Sequence, residues 1–187
     1  NLSAAILMSI DLGVPIEYIK KAVEEIKPVV GRMDRVDLAN SYLTIIIDYA
    51  HTPDGLENVL KSLTNHKRGK LITLFGCGGD RDKGKRPLMG KISGECSDYT
   101  IITSDNPRWE DPLEIIENIV SGISETNGLY EVVPDRLEAI RRAMLIGKGY
   151  DTILIAGKGH EKHQLVKGEK IDFDERQIVE KIAREIY

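Results

Sequence analysis

Two cysteines, Cys77 and Cys96, are all that the 187 residues offer. That is too few for a disulfide framework, and the pair makes no zinc motif. Reduced thiols in a cytoplasmic protein are the expectation. Long apolar runs are also missing. None approaches the 18 residues that a membrane-spanning helix needs, and no signal-peptide pattern is visible, so membrane insertion is not expected. Basic charge is not in excess: 26 Lys and Arg face 30 Asp and Glu, for a net charge of −4. A general nucleic-acid binder needs a basic stripe, so that class is set aside. Internal repeats and low-complexity segments are absent. No GxGxxG joins a first strand to its helix, which speaks against a dinucleotide enzyme.

One further absence is easily overlooked. Gly79 to Lys85 spells the first seven places of the phosphate-binding loop GxxxxGK(S/T). The eighth place is Arg86, so the hydroxyl that would bind Mg²⁺ is missing. Pro87 also disfavours helical geometry at Arg86 and suits a first helical position, which would start the helix too late for the lysine. A basic loop that binds an anion through Arg81, Lys85 or Arg86 fits these residues better, beside the plain reading of a solvated charge run.

What is present is enough for a core. Apolar residues make up 41% of the chain, and the 30% that are charged mix both signs. The chain opens on Asn1 inside a helical pattern, so it is expected to be a piece of a longer protein. Residues 3 to 12 and 15 to 27 read as helices, separated by Gly13 and Pro15. Residues 27 to 36, with Pro28 and Gly31, read as a linker. From there strand and helix alternate about five times: "LTIIIDYA", "KLITLFG", "YTIITS", "YEVVP" and "DTILIAG" are strands, each followed by a helical or polar stretch. A possible hairpin at 163 to 173 and a helix at 174 to 186 close the chain. The pattern predicts an α/β fold, Rossmann-like, with a mostly parallel sheet and helices on both faces.

In such sheets ligands sit beyond the carboxyl ends of the strands. Four dense loops leave those ends: "DYAHTPD", "GCGGDRDKGKRP", "SDNPRWEDP" and "GKGHEKHQ". In the first, Asp48 suits a ribose hydroxyl and His51 a nucleotide, while Thr52 or Asp54 with Pro53 would equally make a simple helix start. In the third, Asp105 suits an ammonium, Asn106 both donates and accepts, and Arg108 presents a planar fork for a carboxylate. Together they suit a zwitterionic amino acid; a surface arginine before a helix capped by Asp111 is the plainer alternative. In the fourth, Gly157 and Gly159 allow close backbone approach. Glu161 offers a carboxylate to an ammonium, and Lys158 and His160 suit proton or anion work.

Taken together, "GRMD", "DYAHTPD", "FGCGGDRDKGKRPLM", "TSDNPR" and "IAGKGHE", in this order and spacing, resemble the C-terminal region of the Mur ligases. The resemblance covers essentially the whole chain. It implies an ATP-dependent amide ligase of peptidoglycan synthesis with three domains. Residues 1 to 30 would be a helical remnant of the central ATPase domain, and residues 31 to 187 the C-terminal, amino-acid-binding domain, hinged near Gly31. ATP and Mg²⁺ would be held mainly by the absent central domain, so no catalytic residue and no metal ligand is expected in this chain, and it should not catalyse alone.

Carried across position by position, the resemblance implies ATP-binding roles for Asn1, Arg32, Asp48 and His51. It implies amino-acid-binding roles for Arg86, Asp105, Asn106, Arg108, Gly157 and Glu161. "DNPR" resembles the meso-diaminopimelate-adding type, whose distal carboxylate meets the arginine. The implied partners are small molecules: meso-diaminopimelate, ATP and the UDP-N-acetylmuramoyl dipeptide. A monomer is expected. The alternatives are a lysine-adding ligase, a folate polyglutamate synthetase, and a non-catalytic nucleotide- or anion-binding module.

Overall fold

The computed structural model describes residues 2–26, 29–38 and 41–187. It opens with two helices, α1 (Leu2–Asp11) and α2 (Ile16–Glu25). Gly13, at φ +76°, makes the turn between them. Pro15 stands at the N-cap of α2, one step before the expected first turn. Neither helix is part of the main core: α1 buries no residue and α2 buries Ile19.

The rest is built on a six-stranded sheet. In chain order its strands are β1 (Asp34–Val36), β2 (Thr44–Asp48), β3 (Leu71–Phe75), β4 (Tyr99–Ile102), β5 (Tyr130–Val132) and β6 (Thr152–Ala156). Their order across the sheet is β1-β2-β6-β3-β4-β5. All neighbours are parallel except β1, which runs antiparallel to β2. A two-stranded hairpin, β7 (His163–Val166) with β8 (Glu169–Asp172), stands apart from it.

The parallel sheet and its two helical layers are as the alternation predicted. β1 was not anticipated, because residues 27 to 36 read as linker. Three residues are too few to display a period of two. What orders them is tertiary: Val36 enters the core, and Asp34 accepts from the Gly31 amide at 3.1 Å and from Arg176 at 2.6 Å.

Alternate strand residues serve opposite faces. Ile45, Ile47, Ile72, Leu74, Ile153 and Ile155 pack with α6 (Arg136–Ile146) and α7 (Glu175–Ile186). Ile46, Leu71, Phe75, Ile102 and Leu154 pack with α3 (Pro53–Thr64), α4 (Lys85–Cys96) and α5 (Pro112–Ile123). Each such side chain contributes about 1.5–3 kcal/mol of burial. The near-continuous apolar strands therefore follow from a sheet covered on both sides.

Helix starts follow from local chemistry. Thr52 caps α3 by accepting from the Gly55 amide, and Pro53 occupies its first turn. Asp111, Asp135 and Asp174 cap α5, α6 and α7 in the same way. α4 begins at Lys85, two residues before the start expected at Pro87. A proline within the first turn costs no hydrogen bond, because amides there have no partner inside the helix.

Parallel register aligns Asp48 with Ala156, and Phe75 with Ile102. The four dense loops thus leave one edge of the sheet together. Among the described residues no helix is long and apolar enough to cross a membrane.

Candidate functional site

A cavity of about 510 Å³ opens where these loops converge. His51, Asp105, Asn106, Arg108, Gly157 and Glu161, all singled out in the sequence, line it. Tyr49, Arg81 and Lys85 add to the wall. A roomier groove of about 760 Å³ runs along α7, but it gathers no comparable set of facing groups from several loops.

The floor is a hydrogen-bonded charge network centred on Lys158, which is fully buried. Its ammonium donates to Asn106 Oδ1 at 2.9 Å and lies 3.4 Å from Glu161 and 3.6 Å from Asp105. With Oδ1 committed to Lys158, the Asn106 amide nitrogen donates to Glu161 Oε2 at 2.9 Å. Burial alone would raise the Glu161 pKa. The Asn106 amide and the Lys158 ammonium outweigh it and hold the carboxyl below its ordinary value. Gly157 admits this geometry: at φ +115°, a Cβ there would lie 2.7 Å from Asp105 Oδ2. The sequence named Lys158 but gave no sign that it is the hub.

Arg108 sits at the rim with an unusual backbone, φ +54°. Its Nη1 donates to Gly79 O at 2.8 Å. Among the described residues, no hydrogen bond takes up its Nε or Nη2. Arg81 is exposed beside it and donates to its own neighbour's carbonyl, Asp80 O, at 3.0 Å.

Two expected ligands do not face the cavity. Arg86 is 1% exposed and forks onto Glu110, with Nη2 at 2.9 Å and Nη1 at 3.0 Å. Asn118 Oδ1 and Gly78 O take further contacts. The hydrogen bonds from Arg86 hold the Glu110 carboxyl down at about 2. The geometry therefore corrects the assignment of Arg86: it is a strut beneath the loop, because helix α4 starts early and turns it inward. Arg81 takes its place at the cavity. Asp48, expected near a nucleotide, has both carboxylate oxygens engaged by backbone amides. Its Oδ2 accepts from the Met33 amide at 2.7 Å and its Oδ1 from the Ala50 amide at 2.8 Å. It fastens the segment before β1 to the sheet and does not line the cavity.

Beside the cavity lies an aromatic and cationic surface. Arg32 sits 4.7 Å above the Tyr49 ring. His51 meets the same ring edge-on at 4.5 Å, and His160 lies 5.2 Å from it. Lys85 donates to His51 O at 2.7 Å. Tyr49 was missed in the sequence, since nothing in "DYAH" marks that ring as the centre of a cluster. Asn1 lies outside the described residues. Neither cysteine forms a disulfide, and burial pushes the Cys77 thiol up to about 12. Among the described residues no group of three or more His, Cys, Asp or Glu side chains is arranged to hold a metal ion.

The cavity thus offers cations at the rim and carboxylates at the floor. A solute bearing both carboxylate and ammonium groups is its electrostatic complement.

Comparison with known proteins agrees with this geometry. The family model "Mur ligase, glutamate ligase domain" matches residues 31–159. A UDP-N-acetylmuramoyl-L-alanyl-D-glutamate–2,6-diaminopimelate ligase from Clostridium tetani is 47% identical over the whole chain. Its namesake from Clostridium botulinum is 50% identical over 93% of the chain. The chain spans 38% and 36% of the length of these relatives. A solved structure of a ligase with the same name superimposes with a TM-score of 0.78 and 36% identity, over 97% of this chain and 37% of that one. With the family match spanning most of the sheet and its loops, the chain belongs to the Mur ligases, as their glutamate ligase domain.

Proposed function

We propose that this chain is the amino-acid-selecting part of an ATP-dependent ligase that joins meso-diaminopimelate to UDP-N-acetylmuramoyl-L-Ala-D-Glu in peptidoglycan synthesis. The observation that carries the reading is the cavity itself. Arg81 and Arg108 stand at its rim, and Asp105, Asn106 and Glu161 at its floor. The names of the relatives point the same way. Residues 1 to 30 are then the end of a preceding ATPase domain, and 31 to 187 the C-terminal domain; the family match starts at residue 31. The setting is cytoplasmic and the partners are small molecules.

ATP, when bound, supplies the phosphoryl group that activates the D-glutamate γ-carboxylate as an acyl phosphate, with Mg²⁺ balancing the charge. In this chain Arg32, Tyr49 and His51 would hold the nucleotide: a ring, an imidazole and a guanidinium suit a purine and phosphates. The chain's own work is positioning. Arg108 and Arg81 take carboxylates, and Glu161 and Asp105 take an ammonium. The remaining amine is thereby aimed at the activated carboxyl, which can supply much of a rate enhancement by orientation alone. The loops also exclude water that would otherwise hydrolyse the acyl phosphate.

Selectivity follows from one carboxylate. Lysine lacks the group that diaminopimelate presents to the rim, and would leave a committed guanidinium unpaired. Losing one partner of such a pair costs about 2–5 kcal/mol, or roughly 30-fold to several thousand-fold in affinity.

The test is an NMR titration of the chain with meso-diaminopimelate and with L-lysine, repeated on Arg108→Ala and Arg81→Ala. Diaminopimelate is expected to shift amides around Gly79, Arg108 and Glu161, with lysine weaker and both variants impaired. Equal or tighter binding of lysine would overturn the substrate assignment. Nucleotide binding with no amino-acid binding, in the full-length ligase as well, would favour a plain nucleotide-binding module.

A further inference from the structure

The β7–β8 hairpin belongs to no layer of the main sheet, yet it makes four hydrogen bonds to the loop that carries Arg108. The Gln164 side chain donates to Asp105 O at 2.7 Å, and the Leu165 amide donates to Asn106 Oδ1 at 3.0 Å. The Arg108 amide donates to Leu165 O at 2.9 Å, and the Lys167 amide donates to Arg108 O at 2.6 Å. Arg108 and Val166 form an isolated parallel bridge. Arg108 is therefore bridged to the hairpin backbone, and residues 105 and 106 are tied to it by side-chain hydrogen bonds.

This pairing explains the backbone of Arg108. A left-handed conformation is unfavourable for a residue with a Cβ, and persists only where the surroundings over-determine it. Here both its amide and its carbonyl are tied to the hairpin. The turn is itself tied back. Lys167 at φ +49° and Gly168 at φ +82° are the two central residues of a two-residue turn of type I′. The turn rests on the ring of Trp109: a Cβ at Gly168 would come within 2.9 Å of Trp109 Cζ2.

We propose that this hairpin is a specificity clamp: it sets the backbone of Arg108 and the orientation of the Asn106 amide, and so decides whether the rim reads a second carboxylate. The proposal rests on the reading of the cavity given above and deepens it. Gln164, Lys167 and Gly168 are thus positioning residues, which act through Asp105, Asn106 and Arg108.

The test uses the full-length ligase and four variants. Arg108→Ala is the control on the cavity. Gln164→Ala removes one clamp hydrogen bond without disturbing the hairpin backbone, and is expected to raise KM for meso-diaminopimelate about fivefold. Gly168→Val strains the turn and pushes on Trp109, and is expected to raise it more than tenfold. In both, KM for ATP and kcat at saturation stay within twofold, and the preference over lysine falls. Adding Lys167→Asn to Gln164→Ala creates Asn-Gly, the pair this turn favours, and recovers part of the loss. If Arg108→Ala raises KM while Gln164→Ala and Gly168→Val leave KM and selectivity unchanged, the clamp is refuted and the cavity reading stands. An equal rise in KM for ATP in the clamp variants also refutes it, because it signals general loosening. If Arg108→Ala itself has no effect, both fall together.

Discussion

Arg86, in the first turn of α4, and Arg108, in the loop after β4, lie at the same edge of the sheet, and both looked like ligands in the sequence. Arg86 is closed off: it is buried, forked onto Glu110, and braced by Asn118. Arg108 is open, with one nitrogen anchored to Gly79 O and the rest of its fork at the cavity. Arg136 is a second closed case. Its Nε meets Glu175 Oε1 at 2.7 Å, and Nη2 and Nη1 donate to Ala156 O and Ser104 O at the ends of β6 and β4. A guanidinium buried and forked onto a carboxylate inside the protein holds the loops in place. One whose fork is left open at a cavity can hold something else.

The contrast is most sharply broken at Arg136. Arg136→Ala should cost about 3–5 kcal/mol of stability, because it strands a buried Glu175. Burial already pushes the Glu175 carboxyl upward, with Arg136 opposing it. Chemical denaturation monitored by circular dichroism measures this; a loss below about 1 kcal/mol would mean that the pair is not a strut.

Arg108→Ala should do the reverse. Its stability cost should stay under about 1 kcal/mol, as for surface changes in general. Diaminopimelate affinity should fall by about 2–5 kcal/mol. Calorimetric titration alongside denaturation separates the two quantities.

Arg86→Met comes next, at about 2 kcal/mol for a charged hydrogen bond to a carboxylate near the surface. It also carries a pH signature. The Glu110 carboxyl is lowered from 4.5 to about 2, so its contribution is fully present above pH 4.5 and is lost as pH falls toward 2. Stability should therefore decline less steeply across that window in the variant than in the parent. Parallel pH profiles would sink the idea.

The smallest effect belongs to a purely local device. Asp111→Ala removes the cap on α5, with its bond to the Leu113 amide, and should cost about 1 kcal/mol. Diaminopimelate binding should be unchanged, since Asp111 is not in the cavity wall.

Legibility followed the range of the forces. Caps such as Thr52 and Asp111 were readable because they act within three residues. Strand and helix order were readable because burial on both faces leaves unbroken apolar runs, as in "TILIA". β1 was not, since three residues carry no period and Arg176, which holds Asp34, is distant in sequence. The convergence of four loops on one cavity was legible from topology. The roles of Arg86, Arg81 and Asp48 within it were not. Each depends on which way a side chain turns once helix α4 and the segment before β1 are docked.

The parallel sheet, its helical layers and the residue types gathered at one edge are written in the order of the amino acids. Those follow from hydrophobic period and turn chemistry, which are properties of short stretches. Which of those charges are spent internally and which remain available is settled by the packing of distant segments. A hydrogen bond satisfied by a partner dozens of residues away, such as Arg86 with Glu110 or Lys158 with Asn106, leaves no trace in the local pattern.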